Sequence, residues 1–111
     1  MVDSFEREQR ELDPHRVEEQ RLARQEAEAR LRPRGIVVLE EDRDEDVADL
    51  LDAIERFEAA VEARGGDLFV NRIGSPEPEA PEFVPPVRRE GEGAGGYRLR
   101  VERATDRLRG R

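Results

Sequence analysis

At 111 residues and a formal net charge of −8, the chain has room for one small domain with arms, not two domains. That charge leaves no general basic face for bare nucleic acid or an anionic membrane as main partner. All 20 basic residues are arginine and there is no cysteine. This excludes a disulfide framework, a thiolate nucleophile, a cysteine zinc site, a lysine Schiff base and the usual phosphate-loop lysine.

Charged residues make up 43% of the chain and aromatics 5%, so the core is small and support from a partner or a second copy is expected. The charge is uneven: residues 1–39 sum to −1, 40–64 to −8 and 65–111 to +1. No apolar run approaches the roughly 18 residues that a membrane span needs. No basic-then-apolar leader pattern opens the chain, and a soluble, cytoplasmic protein is the expectation.

Residues 1–34 form a charged N-terminal arm. A first helix is expected over Ser4 to Leu12. A second starts at Pro14, with Asp13 as its N-cap and proline where a missing N–H costs nothing. Glu26/Arg30 and Glu28/Arg32 are four apart in the favourable order. Val17, Leu22, Ala23, Ala27, Ala29 and Leu31 fall all around the wheel, so this helix stands in solvent, lies on a partner or is only partly formed. Arg32-Pro33-Arg34-Gly35 ends it.

Residues 35–73 are expected to be a compact strand–helix–strand centre. "IVVL" at 36–39 is a β-branched run bounded by Gly35 and an acidic cluster, and predicts a buried strand. Val47, Leu50, Leu51, Ile54, Phe57 and Val61 share about 120° of arc at helical spacing, which predicts an amphipathic helix closed by Gly65-Gly66. "DLFVNRI" at 67–73 predicts a second strand. The three together have the length of a βαβ unit. The fold class expected is therefore α+β, rich in α.

Residues 74–96 are a proline- and glycine-rich strap. Five prolines between Gly74 and Pro86 prevent regular structure, and Phe83 and Val84 are expected to anchor it to the domain or to a partner. "GEGAGG" predicts a flexible turn. Residues 97–111 carry two patterns: Tyr97, Leu99 and Val101 alternate as a strand, while Tyr97, Val101, Ala104 and Leu108 recur at helical spacing. The helical pattern covers more residues and predicts a basic C-terminal helix.

The densest chemistry lies in "EEDRDEDVADLLD", residues 40–52. Asp42, Asp44 and Asp46 match the first ligands of a calcium loop, but Val47 and Ala53 stand where that loop needs glycine and glutamate. The stretch "IVVLEEDRDEDVADLLDAIE" superficially resembles the opening of a response-regulator receiver domain. The absence of lysine and the short remainder exclude that fold. The cluster is better read as a helix start, with Asp42 or Asp44 as N-cap and acidic residues in the first turn favoured by the macrodipole. Its surplus charge makes an outer face that meets solvent or arginines.

His15 is the only histidine, and Ser4 and Ser75 lie in flexible segments, so neither a triad nor a histidine metal site can be assembled. No catalytic residue, cofactor or metal is expected. The function expected is that of a non-catalytic, small acidic accessory or interaction protein, a homo-oligomer or a subunit of a larger complex. The contact residues expected are Phe83 and Val84, then Tyr97, Val101 and Leu108, then Asp49, Asp52 and Glu55 on the acidic face. The alternative is an antitoxin-like regulator whose basic C-terminal end contacts nucleic acid while its acidic part binds a protein.

Overall fold

A computed structural model describes residues 14–110 of the chain. The expected Ser4–Leu12 helix and the Asp13 cap lie outside the described residues. Among the described residues there are three α-helices, α1 (Pro14–Leu31), α2 (Asp44–Ala63) and α3 (Ala94–Leu108), two short 3-10 turns, and no strand. The α+β expectation is therefore wrong. The fold is all-helical, with α2 in the middle and α1 and α3 packed on it.

Helix α2 buries the face its spacing predicts: Val47, Leu50, Leu51, Ile54, Phe57 and Val61, with Ala53 and Ala60 beside them. Helix α3 answers with Tyr97, Val101, Ala104 and Leu108. Helix α1 contributes only Ala27 and Leu31, while Val17 and Leu22 are more than half exposed. A helix with no apolar stripe can bury only its last turns, and the first half of α1 stands in solvent as its sequence implies. Leu31 leads into the 3-10 turn Arg32–Arg34, which closes on Gly35 at φ +80°, a left-handed conformation suited to glycine.

Both expected strands fail for identifiable reasons. Ile36 and Val38 point into the core and Val37 points out, the alternation of a strand, but no second strand runs beside them. Arginines fill that role. Arg88 donates to the Val37 carbonyl at 3.1 Å, and Arg24 to the Leu39 carbonyl at 2.8 Å. The Leu39 N–H goes to an Asp42 carboxylate oxygen at 2.8 Å. Backbone groups bonded this way have no need of a ladder.

Segment 67–73 coils instead of extending. The Asp67 side chain accepts the Phe69 N–H at 2.8 Å, and the Asp67 carbonyl accepts the Val70 and Asn71 N–H groups. Such side-chain-to-backbone bonds compete with strand formation and favour turns. Asn71, almost fully buried, then exchanges bonds with Glu79: Nδ2 to Oε1 at 2.8 Å, and the Glu79 N–H to Oδ1 at 2.8 Å. The clamp fixes the start of the strap. Asn71→Ala removes the acceptor of the Glu79 N–H and the side-chain donor to Glu79, and it is expected to cost about 1–3 kcal/mol in urea unfolding.

Gly66 is set by close approach. A Cβ there would overlap the Val61 side chain and stand 3.0 Å from the Phe83 ring, so the strap crosses the end of α2 only with glycine at this point. The expected flexible turn at "GEGAGG" is partly helix, since α3 begins at Ala94 and takes in Gly95 and Gly96. Gly95 has open space around its missing Cβ. Gly95→Ala is accordingly expected to stabilise the chain by about 0.5–1 kcal/mol, read as a raised urea midpoint; no gain would mean that α3 starts after Gly95.

Candidate functional site

The acidic cluster faces inward at one residue. Asp42 and Arg88 form a two-pronged pair, Nη1 to Oδ2 and Nη2 to Oδ1 both at 2.7 Å, with side chains 4% and 3% exposed. Arg88 has further work, donating through Nε to the Glu92 carbonyl at 3.0 Å and through Nη1 to Val37. The guanidinium holds the Asp42 carboxyl below the usual aspartate range, helped by the Leu39 N–H against the opposing effect of burial. Asp42 is therefore not the N-cap of α2. Arg43 is, in an extended conformation and without a side-chain cap bond, and Asp44, Glu45 and Asp46 occupy the first turn.

From the other side Arg24 of α1 grips the same loop. It donates to the Asp42 carbonyl, to Asp44 at 3.2 Å and to Leu39, while Nε holds Glu28 at 2.7 Å. Arg34 binds Glu58 with two bonds of 2.8 and 3.0 Å, and Arg30 comes within 3.8 Å of Glu55. The arginines that the acidic stretch meets are the chain's own. Asp49 and Asp52 remain on the exposed face of α2. Among the described residues no three acidic or histidine groups converge to hold a metal ion.

The residues expected to make contacts are separated by burial. Tyr97 and Val101 are fully buried and Leu108 nearly so, all three in the core between α2 and α3. The Tyr97 hydroxyl donates to the Pro86 carbonyl at 2.7 Å, tying helix to strap. Burial pushes the Tyr97 phenol up to about 12. Phe83 is half-buried against the core, and Val84 lines a hollow between strap and α3. The basic C-terminal stretch is divided: Arg98 pairs with Glu102 at 2.8 Å and Arg100 with Glu92 at 2.6 Å, while Arg103, Arg107 and Arg109 are exposed.

What sequence reasoning missed is a groove of about 470 Å³ between the end of α1, the middle of α2 and the strap. Its floor is apolar: Ile36, Ile54, Phe57, Leu68, Ile73 and Phe83. Arg30, Arg34 and Glu58 stand on one wall, and on the other is Phe69, 86% exposed, the barest large apolar side chain described. The volume falls in the range of ligand and peptide pockets, about 300–1,000 Å³. A sequence signal for Phe69 did exist, because Asp67 and Asn71 bracket it with turn-forming side chains. The groove had none, since its walls come from three separate segments.

No helix among the described residues is long and apolar enough to cross a membrane. Protein-family models, curated proteins and solved structures give no match to this chain.

Proposed function

We propose that this protein is a non-catalytic accessory or interaction protein whose contact surface is the groove between α1, α2 and the strap. The observation that carries the reading is Phe69, 86% exposed on the edge of an apolar groove, while the other aromatic rings among the described residues face inward or lie half-covered. Exposed apolar patches of this kind mark contact sites on small proteins. The charge chemistry supports the same reading: Asp42, Asp44, Glu58 and Glu92 each hold an arginine of the chain itself, which is how a scaffold uses carboxylates.

The test is a photoreactive phenylalanine analogue at position 69, irradiated in an extract of the source cells. The reading expects one dominant protein adduct, either a second copy or another chain, which disappears when the probe is moved to Leu99 on the exposed side of α3. Equal, diffuse labelling from both positions would sink it.

A further inference from the structure

The strap is bonded at its two ends and not in between. At one end Glu79 exchanges hydrogen bonds with Asn71 and accepts the Asp67 N–H. At the other, the Pro86 carbonyl accepts from the Tyr97 hydroxyl, the Val87 carbonyl accepts from Arg100, and Arg88 is locked on Asp42. Among the described residues no hydrogen bond or ion pair joins 80–85 to a helix. The bonds of that segment are its own: the Phe83 N–H to the Ala80 carbonyl at 3.1 Å, and the Val84 N–H to the Pro81 carbonyl at 3.2 Å. Apolar contact holds it down, above all the half-buried Phe83 ring, which packs on the core and lies beside Gly66.

Open space lies on both sides of this segment. Phe83 and Pro85 line the groove of about 470 Å³, while Pro81, Val84 and Pro86 line a second hollow of about 400 Å³ against Ala104 and Leu108 of α3. Residues 81–86 are the wall between the two hollows. The wall also holds spare length. Pro81–Phe83 is a 3-10 turn, rising about 2.0 Å per residue where extended chain rises about 3.3 Å, so unwinding it releases about 4 Å while both pinned ends stay in place. We infer that segment 80–85 is a lid: it lifts while Glu79 and Pro86 remain bonded, and in lifting it joins the two hollows into one channel across the C-terminal half of α2. Few buried contacts and self-contained backbone bonds characterise the parts of a fold that open without global unfolding. The lid does not depend on what the groove receives.

Native-state hydrogen exchange on the wild type, with thiol labelling of Val61→Cys and Leu50→Cys, tests the lid across low urea concentrations. The chain has no cysteine of its own, so each introduced thiol reports one position. Both positions are fully buried. Val61 meets the Phe83 ring at Gly66, whereas Leu50 lies near the other end of α2. The Phe83 and Val84 N–H groups and the thiol at position 61 are expected to open with one common population, nearly unchanged by low urea. That population should exceed the one at position 50 by at least about 100-fold. The Glu79 N–H, and the Gly66 N–H bonded to the Val61 carbonyl at 2.9 Å, are expected to exchange only with position 50, at the global rate.

Phe83 and Val84 N–H groups that exchange only with global unfolding overturn the lid. So does opening of Glu79 along with them, which would free the whole strap, or of Gly66, which would mean that the end of α2 frays instead. A thiol at position 61 that labels only with position 50 means that the turn unwinds without lifting, and overturns it as well. Should Val61→Cys fail to fold, the wild-type N–H groups at 66, 79, 83 and 84 decide by the same pattern.

Discussion

Asp42→Ala and Arg88→Met are each expected to lower stability by about 3–5 kcal/mol, the cost of leaving one charge of a buried pair without its partner. The size follows from how completely the pair is enclosed, with both side chains under 5% exposed. It also follows from what each partner does besides. Asp42 accepts the Leu39 N–H, and Arg88 holds the Val37 and Glu92 carbonyls. Small domains unfold at about 5–15 kcal/mol, so either variant approaches the edge of folding, and urea titration near 10 °C is the suitable measurement. The double variant Asp42→Leu/Arg88→Met is expected to be more stable than either single one, because no buried charge remains. It does not return to wild type, since carbonyls that Arg88 served lose a donor, at about 1–3 kcal/mol. Additive losses from the two single changes would mean that the side chains do not touch.

The same pair sets an acid limit. The Asp42 carboxyl titrates below the usual aspartate range in the folded chain, so the unfolded chain takes up its proton first as pH falls. The contribution is complete above the unfolded value of about 3.9, and it is lost as pH drops from there through the depressed folded value. Wild-type stability should therefore fall across that acid window, and Asp42→Asn should show a flatter profile there on a lower baseline.

Tyr97→Ala is expected to cost about 3–5 kcal/mol, the range for emptying a large aromatic site in a core. The ring is fully buried between α2 and the strap, and α3 has no other side chain of that size to close the gap. Tyr97→Phe keeps the ring and removes the bond to the Pro86 carbonyl, at about 1 kcal/mol. Comparing the two separates core packing from strap anchoring. Tyr97 is the only tyrosine, and the chain has no tryptophan, so ultraviolet titration of phenolate reads this one group. Burial pushes the phenol up to about 12, against about 10 when unfolded. The unfolded chain releases its proton first, and stability is lost as pH rises from about 10 toward 12. A phenolate midpoint at 10 in the folded protein would place the ring in water.

Sequence periodicity located α2 to its buried residues because six large apolar side chains on one face have no other helical or extended solution. It likewise chose helix over strand for 97–108. It could not say which way that face looked: Tyr97, Val101 and Leu108 are expected as contact residues, and they are core. The strand expectation at 36–39 was a correct reading of alternation, with Ile36 and Val38 inside, but alternation does not reveal what bonds the backbone. There the donors were Arg24 and Arg88, 15 and 51 residues away from the carbonyls they serve.

Within 67–73, apolar residues suggested a strand, while the flanking Asp67 and Asn71 carried the turn chemistry that prevailed. Arg88 sits in a proline-rich strap with no spacing to mark it as buried. The acidic cluster was legible as a helix start through Asp44, Glu45 and Asp46. Asp42, one residue before the cap, was the member that mattered for the fold.

Arg88 holds Asp42 inside the protein, so that one carboxylate of the acidic stretch joins strap to core. The direct measurement is the ¹³C chemical shift of the Asp42 carboxyl followed by NMR as pH is lowered. The expected result is a midpoint clearly below the usual aspartate value of about 3.9, and loss of that depression in Arg88→Met under conditions where it still folds. An Asp42 midpoint at the ordinary value in the folded wild type would mean that Arg88 does not hold this carboxylate.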